Sequence, residues 1–107
     1  MENELVQSEI IKVAPEVCSY ASDDESKMYV EIAIPGVKKE SISLKLQEDF
    51  LYLNATRSDK DIEYVASLSL CCPVDPNKAH AKYEDGLLKI DVAFKDAIDD
   101  AIKIDVM

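Results

Sequence analysis

Apolar and polar side chains alternate along most of this sequence with a period of two residues. The clearest example is residues 27–34, and similar alternation occurs at 42–46, 64–72, 78–83 and 87–93, with a further extended run at 50–56. A period of two indicates strands that bury one face. Turn-forming residues separate these runs at close spacing. The pattern therefore predicts seven or eight short strands arranged as an antiparallel β-sandwich.

The alternation also predicts which side chains form the core. Phe50 and Tyr52 compete with Leu51 and Leu53 for the inward face of their strand, and we favour the leucines. Glu84-Asp85-Gly86 predicts a tight hairpin, because glycine readily adopts the positive φ that such turns need. The predicted core residues are Met28, Val30, Ile32, Ile34, Leu51, Leu53, Leu88, Ile90 and Val92.

Three segments follow from this pattern: an arm at 1–14, a sandwich domain at 15–94 and a tail at 95–107. The arm is weakly amphipathic and predicts one or two helical turns, which Pro15 ends. In the tail, Ile102-Lys103-Ile104 follows an acidic spacer, and its two isoleucines point the same way from an extended chain. We interpret them as a docking peptide for a groove on another subunit. The alternative is a terminal strand within the same sandwich.

Composition narrows the possible functions. The 107 residues suffice for one modest core, and 48% hydrophobic content favours a folded domain. A net charge of −10 argues against binding to nucleic acid or to anionic membranes. No apolar run approaches the length of a membrane span, and the first residues lack the basic and apolar parts of a signal peptide. We expect a cytoplasmic protein.

The cysteines, the single histidine and the sequence motifs form no pattern that predicts a catalytic or metal site. Adjacent Cys71 and Cys72 should point to opposite faces of a strand, which suits neither an ordinary disulfide nor a zinc site. We expect them and Cys18 to be reduced, partly buried thiols, with a redox role as the alternative. His80 is the only histidine, and there is no phosphate-binding loop or Gly-x-Ser-x-Gly motif. We therefore predict a protein that is not an enzyme and needs no cofactor.

Four motifs in this order resemble the small heat-shock proteins, over about residues 15–94 and the tail. Each motif is loose alone, but their common order and spacing are specific. They are Ile34-Pro35-Gly36-Val37 with the residues to Ile42, Val74-Asp75-Pro76-Asn77-Lys78, Ala81 to Leu88 around Gly86, and Ile102-Lys103-Ile104.

The resemblance implies an immunoglobulin-like sandwich, the α-crystallin domain, and an ATP-independent holdase that keeps partly unfolded client proteins from aggregating. It also implies a homo-oligomer in which Ile102 and Ile104 dock between strands 41–47 and 78–83 of a neighbouring domain. The candidate groove residues are Ile42, Leu44 and Leu46 on one wall, with Ala79 and Ala81 on the other.

Departures from the family pattern change the expected assembly. Many microbial members carry a strand in the loop after 50–56 that swaps into a partner. Here residues 57–63 are too few to hold a strand and reach another subunit. We expect the strand 62–72 to pair with its own copy instead, which would bring Val65, Ser67 and Ser69 near their symmetry mates. The arm is short, so we expect a dimer or another small assembly.

A second function remains open at this point. The chain also fits an adaptor of the related CS-domain kind, which binds a specific folded partner and needs no self-assembly. The Ile-x-Ile tail favours the holdase. The short loop, the short arm and the absence of the arginine that the family often carries near Ala66-Ser67-Leu68 favour the adaptor.

Overall fold

A computed structural model describes residues 10–57, 61–95 and 101–107. These residues form eight strands and one short 3-10 helix at Lys39–Ser41. The strands follow the alternation of the sequence because each has one face to bury. They are β1 (Ile11–Val13), β2 (Glu16–Ala21), β3 (Lys27–Ala33), β4 (Ile42–Leu46), β5 (Phe50–Arg57), β6 (Ile62–Ser69), β7 (Val74–Glu84) and β8 (Leu87–Phe94).

The strands form two four-stranded sheets. Sheet A has the order β1-β6-β5-β4, and sheet B has the order β2-β3-β8-β7. All pairs are antiparallel except β1 with β6, which is parallel. This arrangement confirms the predicted antiparallel β-sandwich. It also makes β4 and β7 terminal strands of their sheets.

The space between the sheets is filled by apolar side chains only, among the described residues. All nine predicted core residues are buried, and Leu51 and Leu53 point inward while Phe50 and Tyr52 stack outside with ring centroids 5.1 Å apart. Each buried aliphatic side chain contributes about 1.5–3 kcal/mol. Four further buried residues were not predicted: Val37, Ala55, Tyr64 and Val74.

Two segments differ from the prediction. Residues 11–13 of the arm form β1 rather than a helical turn, because they pair with the edge of β6, while residues 1–9 lie outside the described residues. The strand predicted to reach residue 72 ends at Ser69. Cys71 and Cys72 lie in a bend before Pro73, which has no N–H for a ladder.

The chain crosses from sheet B to sheet A at residues 34–37, and two tyrosines hold this crossing. Gly36 has a φ of 84°, which side chains rarely tolerate. The Tyr83 hydroxyl lies 3.0 Å from the Ile34 carbonyl oxygen and 2.8 Å from that of Val37. The Tyr64 hydroxyl lies 3.3 Å from the carbonyl oxygen of Pro35. One tyrosine from each sheet thus satisfies the backbone of the crossing.

The hairpin between β7 and β8 packs against this crossing. Asp85 and Gly86 have φ values of 51° and 81°, as a primed two-residue turn requires. The Ile34 N–H donates to the Gly86 carbonyl oxygen at 2.9 Å. The predicted hairpin is therefore confirmed, and it supports the motif that precedes β4.

Tyr83→Phe should lower the free energy of unfolding by about 1–2 kcal/mol, because buried carbonyl groups lose a hydrogen-bond donor. Urea unfolding at fixed protein concentration measures the change. Tyr52→Phe is the matched control, since Tyr52 is 41% exposed, and it should change stability by less than about 0.5 kcal/mol. Equal stability of the two variants would show that the hydroxyl of Tyr83 does not hold the crossing.

Candidate functional site

A cleft lined mostly by apolar side chains lies where the terminal strands of the two sheets, β4 and β7, face each other. Its volume is about 290 Å³. Leu44 and Leu46 of β4 are half-buried on one side, and Ala79 and Ala81 of β7 lie on the other. The remaining lining residues are Leu51, Pro76, His80 and Ile90.

The structure brings four of the five candidate groove residues to this cleft. The register places Ala79 opposite Val92 and Ala81 opposite Ile90, and both partners are buried. Residues opposite each other in an antiparallel pair share a face, so the alanines lie on the inward face of β7. Ile42 packs against the core but does not line the cleft.

The backbone of β4 is oriented to accept another strand. The Gln47 N–H donates to the Phe50 carbonyl oxygen at 2.7 Å, so this pair belongs to the ladder with β5. Hydrogen-bonded and non-hydrogen-bonded pairs alternate along an antiparallel ladder. Leu44 and Leu46 are therefore in the opposite phase, and their N–H and C=O groups point away from β5.

The backbone of β7 has the matching phase. The Phe94 N–H donates to the Ser26 carbonyl oxygen at 3.0 Å, which assigns the even-numbered residues of β8 to the ladder with β3. The odd-numbered residues of β8 must then bond β7, and these pair with His80, Lys82 and Glu84. The backbone groups of Ala79 and Ala81 consequently point out of the sheet edge.

Both walls thus combine inward apolar side chains with outward backbone hydrogen-bonding groups. No strand of the described residues pairs with the outer edge of β4 or β7. An extended segment with an apolar residue at every second position fits such a cleft, because its side chains enter while its backbone meets either edge. The small side chains of Ala79 and Ala81 leave room for larger ones.

The tail carries a segment of this kind. Residues 101–107 have no regular secondary structure, and Ile102 and Ile104 are 86% and 81% exposed. They do not form the alternative terminal strand within the chain's own sandwich. The spacer at 96–100 lies outside the described residues.

The outer face of sheet B has a larger recess of about 470 Å³, but its chemistry differs. Charged and aromatic side chains line it, including Tyr20, Tyr29, Lys89 and Asp91. The Tyr20 hydroxyl donates to Glu31 at 3.0 Å, and this hydrogen bond raises the pKa of Tyr20. These contacts are local and exposed.

The turn between β2 and β3 contains a carboxyl group with a lowered pKa. Hydrogen bonds from Ser26 and Ser22 lower the pKa of Asp24 to about 2. The Ser26 and Ser22 hydroxyls lie 2.7 and 2.8 Å from the Asp24 Oδ1. This carboxylate therefore shapes the turn.

The cysteines differ from the prediction. Cys18, Cys71 and Cys72 are all exposed rather than partly buried. Cys71 and Cys72 do not point to opposite faces, because the bend brings their sulfur atoms within 3.0 Å of each other. Within the described ranges, no group of three or more His, Cys, Asp or Glu side chains is arranged to hold a metal ion.

The edge of β6 is only partly covered. β1 pairs with Ile62–Tyr64, and no described strand pairs with the outer edge of the following residues to Ser69. The Leu70 N–H donates to the Asp49 carbonyl oxygen at 2.9 Å, which continues the ladder between β5 and β6. Val65, Ser67 and Ser69 are in the opposite phase, so their backbone groups point away from β5.

The connection before β6 is short. β5 and β6 stay in register up to the pair of Arg57 and Ile62, so only residues 58–61 join them.

The described part of the chain contains no helix that is long and apolar enough to span a membrane.

Solved structures with the same fold include small heat-shock proteins from several organisms. Heat shock protein 16.0 from Schizosaccharomyces pombe has a TM-score of 0.72 at 13% identity, over 98% of this chain and 81% of that chain. The Del-C4 mutant of hsp14.1 from Sulfolobus solfatataricus P2 has a TM-score of 0.67 at 23% identity, over 78% of each chain. HSP18.5 from E. histolytica has a TM-score of 0.68 at 12% identity, over 88% of this chain and 99% of that chain.

The sequence itself gives the family. No curated protein sequence matches it significantly. The family model described as Hsp20/alpha crystallin family matches residues 20–107, which include both walls of the cleft and the tail. The resemblance seen in the sequence motifs is therefore confirmed, and the chain belongs to the Hsp20/alpha crystallin family.

Proposed function

We propose that this protein is an ATP-independent molecular chaperone, a holdase that binds partly unfolded proteins and prevents their aggregation. Its family is that of the small heat-shock proteins, which is consistent with a chaperone role. The observation that carries the proposal is the combination of an open apolar cleft between β4 and β7 with an exposed Ile-x-Ile segment in the same chain. These two features form a self-complementary pair that gives a homo-oligomer.

The spacing of the two isoleucines matches the cleft. Residues two apart in an extended chain are about 6.6 Å apart and share a face. Leu44 and Leu46 have this spacing on one wall, and Ala79 and Ala81 have it on the other. Ile102 and Ile104 of a neighbouring chain would insert between the walls, and the tail backbone would add to the open edges as a strand.

We call this contact between the tail and the cleft the latch, and its expected strength makes it reversible. Burying two isoleucines contributes about 1.5–3 kcal/mol each, and ordering an exposed tail offsets part of that gain. The tail therefore dissociates readily and exposes the apolar surface at β4 and β7 to other ligands. An unfolded client offers the same kind of ligand, an extended chain with alternating apolar residues.

The edge of β6 supports a second contact between copies. Antiparallel self-pairing centred on Ser67 would place Val65 of each chain opposite Ser69 of the other. This stretch starts where β1 ends and stops where the strand ends, so the pairing displaces no described strand. The short 58–61 connection favours this dimer over a swapped strand, since it offers no element to exchange.

Holdase activity should appear as suppressed light scattering when a model client is heated with stoichiometric amounts of this protein. Adding ATP should leave the suppression unchanged, because the protein is proposed to act without nucleotide. Bovine serum albumin at equal mass is the control for crowding. If several clients aggregate normally at several-fold excess of the protein, the hypothesis of a CS-domain-like adaptor is favoured instead.

Changing Ile102 and Ile104 together to alanine should shift the assembly toward dimer or monomer and leave the fold intact. The reason is that alanine removes most of the apolar area that each isoleucine side chain would bury in the cleft. Light scattering coupled to size exclusion, at several protein concentrations, measures the mass.

The matched control changes Lys103 and Asp105 to alanine, since these residues alternate with the two isoleucines. That variant should keep the mass of the parent protein. If the isoleucine variant keeps the parental mass too, the tail does not act as an assembly latch.

Ser67→Pro should break the proposed β6 dimer while sparing the tail contact. The Ser67 N–H points to the open edge, so proline removes a donor for the partner without taking a hydrogen bond from β5. The mass of this variant in the background of the isoleucine double variant should therefore fall to that of a monomer.

Ser67→Ala keeps the N–H and is the control, with dimer expected. Circular dichroism of both variants checks that the sandwich remains folded. A dimer that survives Ser67→Pro in a folded protein would place the interface elsewhere.

A further inference from the structure

The bend after β6 presents two thiols side by side on the surface. Cys71 and Cys72 are adjacent in sequence and exposed, with their sulfur atoms 3.0 Å apart. A pair of neighbouring thiols can react with each other within one chain, so no second molecule has to be found. No part of the proposed latch uses these two side chains.

The backbone on both sides of the pair is fixed. Before it, the Leu70 N–H donates to the Asp49 carbonyl oxygen, and after it the Val74 N–H donates to that of Glu48 at 2.8 Å. The Pro73 carbonyl oxygen accepts from the Lys95 N–H at 2.9 Å, and the Val74 side chain is fully buried. These anchors hold the bend in place, and with it the proximity of the two sulfur atoms.

We propose that Cys71 and Cys72 form a redox-responsive vicinal dithiol, which hydroperoxides oxidise reversibly to a disulfide between the two adjacent residues. The site is independent of the proposed chaperone activity.

The reaction with hydrogen peroxide balances in two steps. One thiol loses its proton, and its sulfur attacks a peroxide oxygen, which breaks the O–O bond and leaves a sulfenic acid. The departing hydroxide takes up the proton as water. The second sulfur then attacks the sulfenic sulfur, the S–S bond forms, and the hydroxyl group leaves with the second thiol proton as another water. The two sulfur atoms together supply the two electrons that reduce the peroxide.

The neighbouring thiol of Cys71 raises the pKa of Cys72, as expected for two sulfur atoms in direct contact. Either sulfur can make the first attack, and the other then closes the ring.

The geometry also makes the bond easy to reopen. Adjacent Cα atoms are about 3.8 Å apart across a trans peptide, whereas most disulfides join Cα atoms about 4.4–6.8 Å apart. A ring between neighbours is thus strained, and strained, exposed disulfides are the readily reduced ones. The surface position further gives reductants access to the bond.

Mass spectrometry of the full chain tests the proposal in a Cys18→Ser background. Trypsin leaves both cysteines in the peptide 61–78, so closure is read on one fragment. After hydrogen peroxide, that peptide should lose two hydrogen atoms and resist alkylation, and dithiothreitol should restore both. The oxidised fraction at a given time should not depend on protein concentration, since the reaction is intramolecular.

Cys71→Ser and Cys72→Ser are the matched variants, and neither can close the ring. Each should yield oxygen adducts or disulfide-linked dimers under the same treatment. The proposal is overturned if the parent peptide gains oxygen without losing hydrogen, or if its main product is a dimer between chains.

Discussion

The crossing of the chain from sheet B to sheet A is the constraint on which the rest of the sandwich depends. Gly36 permits the sharp change of direction, the hydroxyl of Tyr83 satisfies carbonyl groups of buried residues, and the hydroxyl of Tyr64 bonds the carbonyl group of Pro35. Each tyrosine comes from a different sheet, so the crossing also fixes the sheets relative to each other. The side chains of β3 then meet those of β5 in one core, and β4 is left at the margin of its sheet.

An open margin at β4 and β7 is a liability that the sequence limits. Unpaired edges invite non-specific pairing between chains. Here the outer residues beside the cleft are charged, with Lys45 on β4 and Lys78 and Lys82 on β7. The net charge of −10 adds a general repulsion between copies. A segment must therefore match the inner apolar surface to bind, and the proposed docking of Ile102 and Ile104 rests on such a match.

Local alternation was enough to predict nine of the core residues and the inward face of β4, because Ile32 and Leu44 each follow the period of their own strand. Tertiary context decided the rest. β1 is only three residues long, and its partner at Ile62 is far away in sequence, so no local pattern indicates it. The bend at Cys71 depends on backbone bonds to the turn before β5. The direction of the free backbone groups at Ala81 follows only from the register with β8.

β1 is a short edge strand that pairs in parallel with β6 and can separate from it. Three residues at the edge of the sheet contribute few contacts, so this is among the least protected parts of the sheet. A copy that pairs along all of β6 must displace β1 from Ile62–Tyr64. The two associations then compete for one edge, and linkage requires each to weaken the other by the same factor. Pairing of residues 11–13 with β6 therefore opposes a longer interface between two copies along this strand.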